Sequence, residues 1–186
     1  MHIYFTGSLS GKKSHGSNYL RIIEYLISHG HTVIADHILQ TTEDTIRKST
    51  PKQKLEFQKK VEMWIENSDC VIAETSHPSV SVGYEIGMAL QINKPVLILH
   101  SPDVDPPSLF SSHENENVVT STYTKDTFAR TIVDFLGFVE QNHDVKFTFF
   151  IPPRHAHYLD RISKRHKVPK SAYLRELIES DIAKDA

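Results

Sequence analysis

The sequence predicts an α/β protein. A five-stranded parallel sheet flanked by helices would cover residues 1–141, and a small strand–helix–helix module residues 144–186. Three observations carry this. Short apolar runs alternate with 3.6-periodic segments from His2 to about Val139. The stretches between successive runs are long enough to cross over a sheet, as parallel pairing requires. The charge balance then changes sign: residues 1–143 carry twelve Lys or Arg against seventeen Asp or Glu, residues 144–186 nine against six.

His2 to Thr6 reads as the first strand. It is followed by the loop Gly7-Ser-Leu-Ser-Gly-Lys-Lys-Ser-His-Gly16, whose glycines, serines and lysines suit a phosphate. The loop lacks the Walker A ending and the dinucleotide glycine spacing, so a bland connection remains open. A helix is expected over Ser17–His29, with Leu20, Ile23, Leu26 and Ile27 on one face and Gly30 as its stop. Thr32 to Ala35 is the second strand, ending at Asp36 and His37. Gln40–Thr50 is a loop or short helix over the site. Pro51 opens a helix to about Asn67, with Phe57, Val61, Trp64, Ile65 and Ser68 on one face.

The chain is organised around the next segment. Cys70 to Ala73 reads as a buried strand that turns through Pro78 into a helix starting near Ser81 or Val82. Ser79 and Ser81 are both candidate N-caps. Glu85 then falls early in a helix whose positive end faces the C-terminal edge of the sheet, where ligands of open α/β sheets bind. Gly83 and Gly87 would let a ligand approach closely. On spacing alone, Glu85 is a nucleophile or general base, or else a first-turn glutamate that favours the helix dipole. A strand follows at Val96–His100, a proline-bearing loop at Ser101–Glu116, a fifth strand at Val118–Tyr123 and a helix from Thr127 to about Val139. The arrangement is Rossmann-like.

Composition narrows the class. Apolar residues make up 39% and charged residues 24%, ordinary for a globular protein. The single cysteine, Cys70, excludes a disulfide framework and suggests a reducing compartment. No run reaches membrane length and the N-terminus lacks a signal-peptide core, so a cytoplasmic protein is expected. Twelve histidines are scattered and form no HExxH pair, so no metal site is expected.

With these residues in view, the first domain resembles the nucleoside 2-deoxyribosyltransferase superfamily, and most of all its 2'-deoxynucleoside 5'-phosphate N-hydrolase branch. The resemblance is carried by Ile3-Tyr-Phe-Thr-Gly-Ser8, Asp36-His37, Trp64-Ile-x-x-Ser-Asp69 and Pro78-Ser-Val-Ser-Val-Gly-Tyr-Glu-Ile-Gly87, in family order. It implies Glu85 as nucleophile, Tyr4 beside it as a catalytic residue, and a pocket lined by His37, Gly7 and Gly83. It further implies Ser8, Ser79 and Ser108 on the 5'-phosphate, Ser108 reaching in from a neighbouring subunit. No cofactor is implied. The chain departs from the pattern at Val61, where the family has an aspartate, and at Ser81, where it has glycine. Glu62 sits about 100° further round a helix, so it is no simple substitute. Another carboxylate such as Asp36 or Glu74 serves, the substrate differs, or catalysis is impaired.

The tail resembles a ribbon-helix-helix module. Phe147, Phe149 and Ile151 would form the core face of a strand paired with that of a second chain. Val168-Pro-Lys-Ser171 would open the second helix, with Leu174, Leu177 and Ile178 on its face. In that family outward residues enter the DNA major groove, here Lys146, Thr148 and Phe150. The phenylalanine makes no hydrogen bonds to bases, so DNA binding and plain dimerisation both stay open. The expected activity is hydrolysis of the N-glycosidic bond of a nucleoside 5'-monophosphate by a homo-oligomer. Deoxyribosyl transfer and a nucleotide-sensing DNA-binding regulator are the alternatives.

Overall fold

The computed structural model describes residues 1–105, 115–141, 151–166 and 169–185. The chain divides into two compact units, Met1–His143 and Asp144–Ala186.

In the first unit five strands form one parallel sheet: β1 (His2–Gly7), β2 (Thr32–Ile34), β3 (Cys70–Glu74), β4 (Val96–His100) and β5 (Val118–Thr122). Their order is β2-β1-β3-β4-β5, so the winding direction reverses between β1 and β3. That reversal opens a crevice at the carboxyl ends of these two strands. Every residue of β3 and β4 is buried, which is why both read as unbroken apolar runs rather than alternating ones.

Helices cover both faces: α1 (Lys12–Ser28), α2 (Asp36–Gln40), α3 (Glu43–Lys48), α4 (Pro51–Glu66), α5 (Val80–Gln91) and α6 (Phe128–Gln141). The period of two along β1 assigns the faces. Ile3 and Phe5 pack with Tyr19, Ile22 and Leu26 of α1 and with Ile132 and Phe135 of α6. Tyr4 points the other way, into a cluster with Val61 and Ile65 of α4 and Val82, Ile86 and Ala89 of α5. Helix α4 begins with a reciprocal capping box between Thr50 and Gln53 and with Pro51 in its first turn.

Two local expectations change. Helix α1 starts at Lys12, not Ser17, so the glycine-bearing loop ends at Gly11. Gly16 lies inside the helix, a position that costs about 1 kcal/mol relative to alanine but does not stop it. Gly11 is needed for packing rather than for looseness: a Cβ there would stand 2.5 Å from the Cβ of His77. Helix α5 starts at Val80, with Ser79 as the cap that accepts from the Val82 amide. Ser81 is therefore helical, and Glu85 lies in the second turn rather than the first.

The second unit contains α7 (Pro153–His166) and α8 (Lys170–Asp185). They are tied by Lys170 Nζ to Asp160 Oδ1 at 2.5 Å and by the Tyr158 and Tyr173 hydroxyls at 3.4 Å. Ile162 is buried, while Leu177, Ile178 and Ile182 stay about half exposed along α8. The expected strand residues Lys146, Thr148 and Phe150, with Phe147 and Phe149, lie outside the described residues, as does Ser108. No helix among the described residues is long and apolar enough to cross a membrane.

Candidate active site

Three side chains from three elements meet at the carboxyl edge of β1. Tyr4 comes from the middle of that strand and is fully buried. Its hydroxyl donates to Oε2 of Glu85 at 3.1 Å and lies 3.1 Å from Nε2 of His37. Because the tyrosine proton is spent on Glu85, the second bond runs from Nε2–H of His37 to the phenol oxygen, which fixes the imidazole tautomer.

Glu85 is 7% exposed. Burial pushes its carboxyl up to about 7, while the hydroxyls of Thr6 and Tyr4 pull it back down by hydrogen bonding to the ionised form. Tyr4 is shifted upward, first by burial and then by the charge of Glu85, so it keeps its proton. The ring of His37 lies parallel to that of Tyr4, with centroids 5.1 Å apart, and stacks on Trp64 at 5.6 Å. Burial pushes His37 down to about 4, leaving it neutral at physiological pH. Its Nδ1 is buried with no hydrogen-bond partner among the described residues, an open acceptor.

A cavity of about 220 Å³ lies at the N-terminus of α5; Tyr4, His37 and Glu85 are not among its lining residues. Val82, Ile86 and Val104 give it an apolar floor, and Thr75, His77, Ser79 and Asp105 its polar rim. Gly83 lines it too, and a Cβ at Gly83 or Gly87 would meet nothing within 4 Å, so this side of α5 is open. First-turn amides of α5 face the same end and favour an anion.

The structure thus brings Tyr4, His37 and Glu85 into one hydrogen-bonded set and places Ser79 and Gly83 on the cavity. Gly7 and Ser8 lie behind the cavity wall. A Cβ on Gly7 would press on the Tyr19 ring at 3.0 Å, so its missing side chain makes room for a core residue. Ser8 is buried, its hydroxyl accepting from the Gly11 amide and lying 3.0 Å from Ser10 Oγ and 3.2 Å from His77 Nδ1. Lys12 is turned away, its ammonium group donating to the carbonyls of Thr41 and Leu39.

Val61 is 4% exposed and packs in the Tyr4 cluster, not on the cavity. None of the candidate substitute carboxylates reaches Tyr4. Asp36 is exposed and accepts from Gln40, and Glu62 accepts from Gln58. Glu74 is buried on the opposite face of the sheet, where the hydroxyls of Tyr123 and Ser76 bond to it. The sequence reading missed Thr6, although its place two residues after Tyr4 puts it on the same face of β1. It also missed His77 and Asp105, which carry no motif spacing.

A nucleoside 2-deoxyribosyltransferase family model matches residues 3–122. A 5-hydroxymethyl-dUMP N-hydrolase of Tetraodon nigroviridis is 30% identical over 141 residues, covering 74% of this chain and 98% of that one. The protein of the same name from Esox lucius is 35% identical over 107 residues, 55% of this chain and 70% of that one. Among solved structures, a CMP N-glycosidase from Clostridium botulinum superposes with a TM-score of 0.53 at 18% identity, over 72% of this chain and 99% of that one. At that identity the likeness speaks for the sheet and its helices, in agreement with the five-stranded order found here. The family match spans all five strands and includes Tyr4, His37, Ser79 and Glu85, so the chain belongs to the nucleoside 2-deoxyribosyltransferase family.

Proposed function

We propose that this chain is an N-glycosidase that hydrolyses the bond between base and sugar in a deoxynucleoside 5'-monophosphate. The observation that carries the reading is the buried Tyr4–Glu85 pair, whose carboxylate belongs to α5, the helix whose first turns line an open cavity. Tyr4 holds Glu85 through Oε2, and an oxygen of that carboxylate attacks C1' of the sugar. As that bond forms, the C1'–N bond breaks; its electron pair leaves with the base, which is protonated from solvent. Water then attacks C1' of the glycosyl ester, giving deoxyribose 5-phosphate, the free carboxylate and a proton. A deoxy sugar suits this route because it lacks the electron-withdrawing 2'-hydroxyl that disfavours an oxocarbenium-like transition state. The names of the relatives above support the same bond and substrate class. Transfer to a second base shares the first step and differs only in the acceptor. Incubating the protein with each deoxynucleoside 5'-monophosphate and measuring free base tests the reading; no release from any of them overturns it.

For the second unit we propose a ribbon-helix-helix-like role in homodimerisation, within a cytoplasmic protein. Supporting it are the half-exposed Leu177, Ile178 and Ile182 of α8, an apolar stripe that a second copy would cover. Exposed Arg154, Lys164 and Arg165 on α7 favour DNA as a further partner. Removing residues 144–186 should lower the number of chains per assembly, and duplex binding by the full chain should weaken steeply between about 50 and 200 mM salt. An unchanged number of chains sinks the dimer role; no binding at low salt sinks the DNA role.

A further inference from the structure

Among the described residues, the rim of the cavity presents one basic side chain, His77, and one acidic side chain, Asp105. His77 stands between the buried Ser8 hydroxyl and the cavity, and three neighbours fix its position. Its Nδ1 lies 3.1 Å from the Pro78 carbonyl and 3.2 Å from Ser8 Oγ. A carbonyl only accepts, so Nδ1 carries a proton and donates to it. Gly11 leaves the space that the His77 Cβ fills, since a methyl group there would stand 2.5 Å away. With Nδ1 committed to the loop, Nε2 is the nitrogen left for a ligand.

We propose that His77 selects the phosphorylated form of the substrate, donating from Nε2 to a phosphate oxygen, with Ser8 and Gly11 as the positioning residues that hold its ring. This rests on the glycosidase reading for the ligand but not for the contact. The Pro78 bond uses Nδ1 and the phosphate bond Nε2, so the two contacts do not compete. The Ser79 hydroxyl and the first-turn amides of α5 complete an anion site around it. Ser8 itself is walled off, so the anion contact falls to His77 instead. Asp105 lines the same cavity and is the group on its rim that disfavours an anion.

Titration calorimetry with inorganic phosphate, a deoxynucleoside 5'-monophosphate and the matching deoxynucleoside tests this on the full chain. In His77→Ala, affinity for phosphate and nucleotide should fall at least tenfold while nucleoside affinity stays within twofold. KM for the nucleotide should rise with kcat little changed. His77→Lys should recover part of the loss, and Asp105→Asn should tighten phosphate binding. Gly11→Ala, which changes no cavity-lining residue but crowds the His77 Cβ, should reproduce the His77→Ala pattern by displacing the ring. Unaltered nucleotide affinity in His77→Ala, or an equal loss for nucleoside, overturns the proposal. So does a wild-type protein that binds no phosphate. A wild-type protein that binds nucleotide through His77 yet releases no base overturns the glycosidase reading alone.

Discussion

The hydroxyl of Tyr4 donates to Oε2 of Glu85 across 3.1 Å, and neither group is open to bulk water. A strand residue thus holds one oxygen of a helix carboxylate in place.

Replacing Glu85 with Gln keeps the shape of the side chain and removes the nucleophile. Base release should fall by at least about a thousandfold, as removal of a covalent nucleophile does elsewhere. Nucleotide affinity and the circular dichroism spectrum should stay near wild type. Activity within tenfold of wild type would remove Glu85 from the mechanism.

The same carboxylate makes stability depend on pH. Its ordinary value is 4.5 and burial lifts it to about 7 in the folded chain. Between these values the folded state keeps a proton that the unfolded state releases, so stability falls as pH rises through the window. The loss should approach about 3 kcal/mol above pH 8. Glu85→Gln should therefore melt near wild type at pH 4 and well above it at pH 8. Equal melting temperatures at both pH values would show that Glu85 is not strained by burial. Turnover should have an acid limb near pH 7, because the attacking form is the ionised one.

Tyr4→Phe removes a hydrogen bond that favours the ionised carboxylate. The acid limb of the rate profile should move up from about 7, and kcat should drop by about a hundredfold. The imidazole of His37 also loses its acceptor. A profile that keeps its limb while only kcat falls would mean that Tyr4 acts on the substrate and not through Glu85.

Val61→Asp would place a carboxylate in the apolar cluster of Tyr4, Val82 and Ile86. Denaturant unfolding should show a loss of about 2–4 kcal/mol, the cost of an unpaired buried polar group. Turnover should not rise, since this position packs beneath Tyr4 rather than on the cavity. A gain in turnover would show that the position reaches the substrate.

Much of this was legible in the residues. The runs at Cys70–Ala73 and Val96–His100 read as strands, Pro51 marked the start of α4, and Ser79 was one of two candidate caps for α5. The pairing of Tyr4 with Glu85 came through the resemblance, because 81 residues separate them and no periodicity links them. What stayed hidden depended on packing between distant segments. Gly11 looked like a flexible-loop residue, but its role is to admit His77 from the loop after β3. Glu74 was one candidate to stand in for the carboxylate missing at Val61; one peptide of strand phase sent it to the far face, against Tyr123.

The aromatic stack on His37 gives the site its own optical probe. Trp64 is the chain's single tryptophan, and it lies 5.6 Å from the imidazole in a near-parallel arrangement. Indole emission is sensitive to a neighbouring imidazole and to the polarity around it. Any ligand that donates to the open Nδ1 of His37, or displaces water at this edge, should change the fluorescence of the whole protein. Site occupancy can therefore be read in native protein, without a label and before any bond is broken.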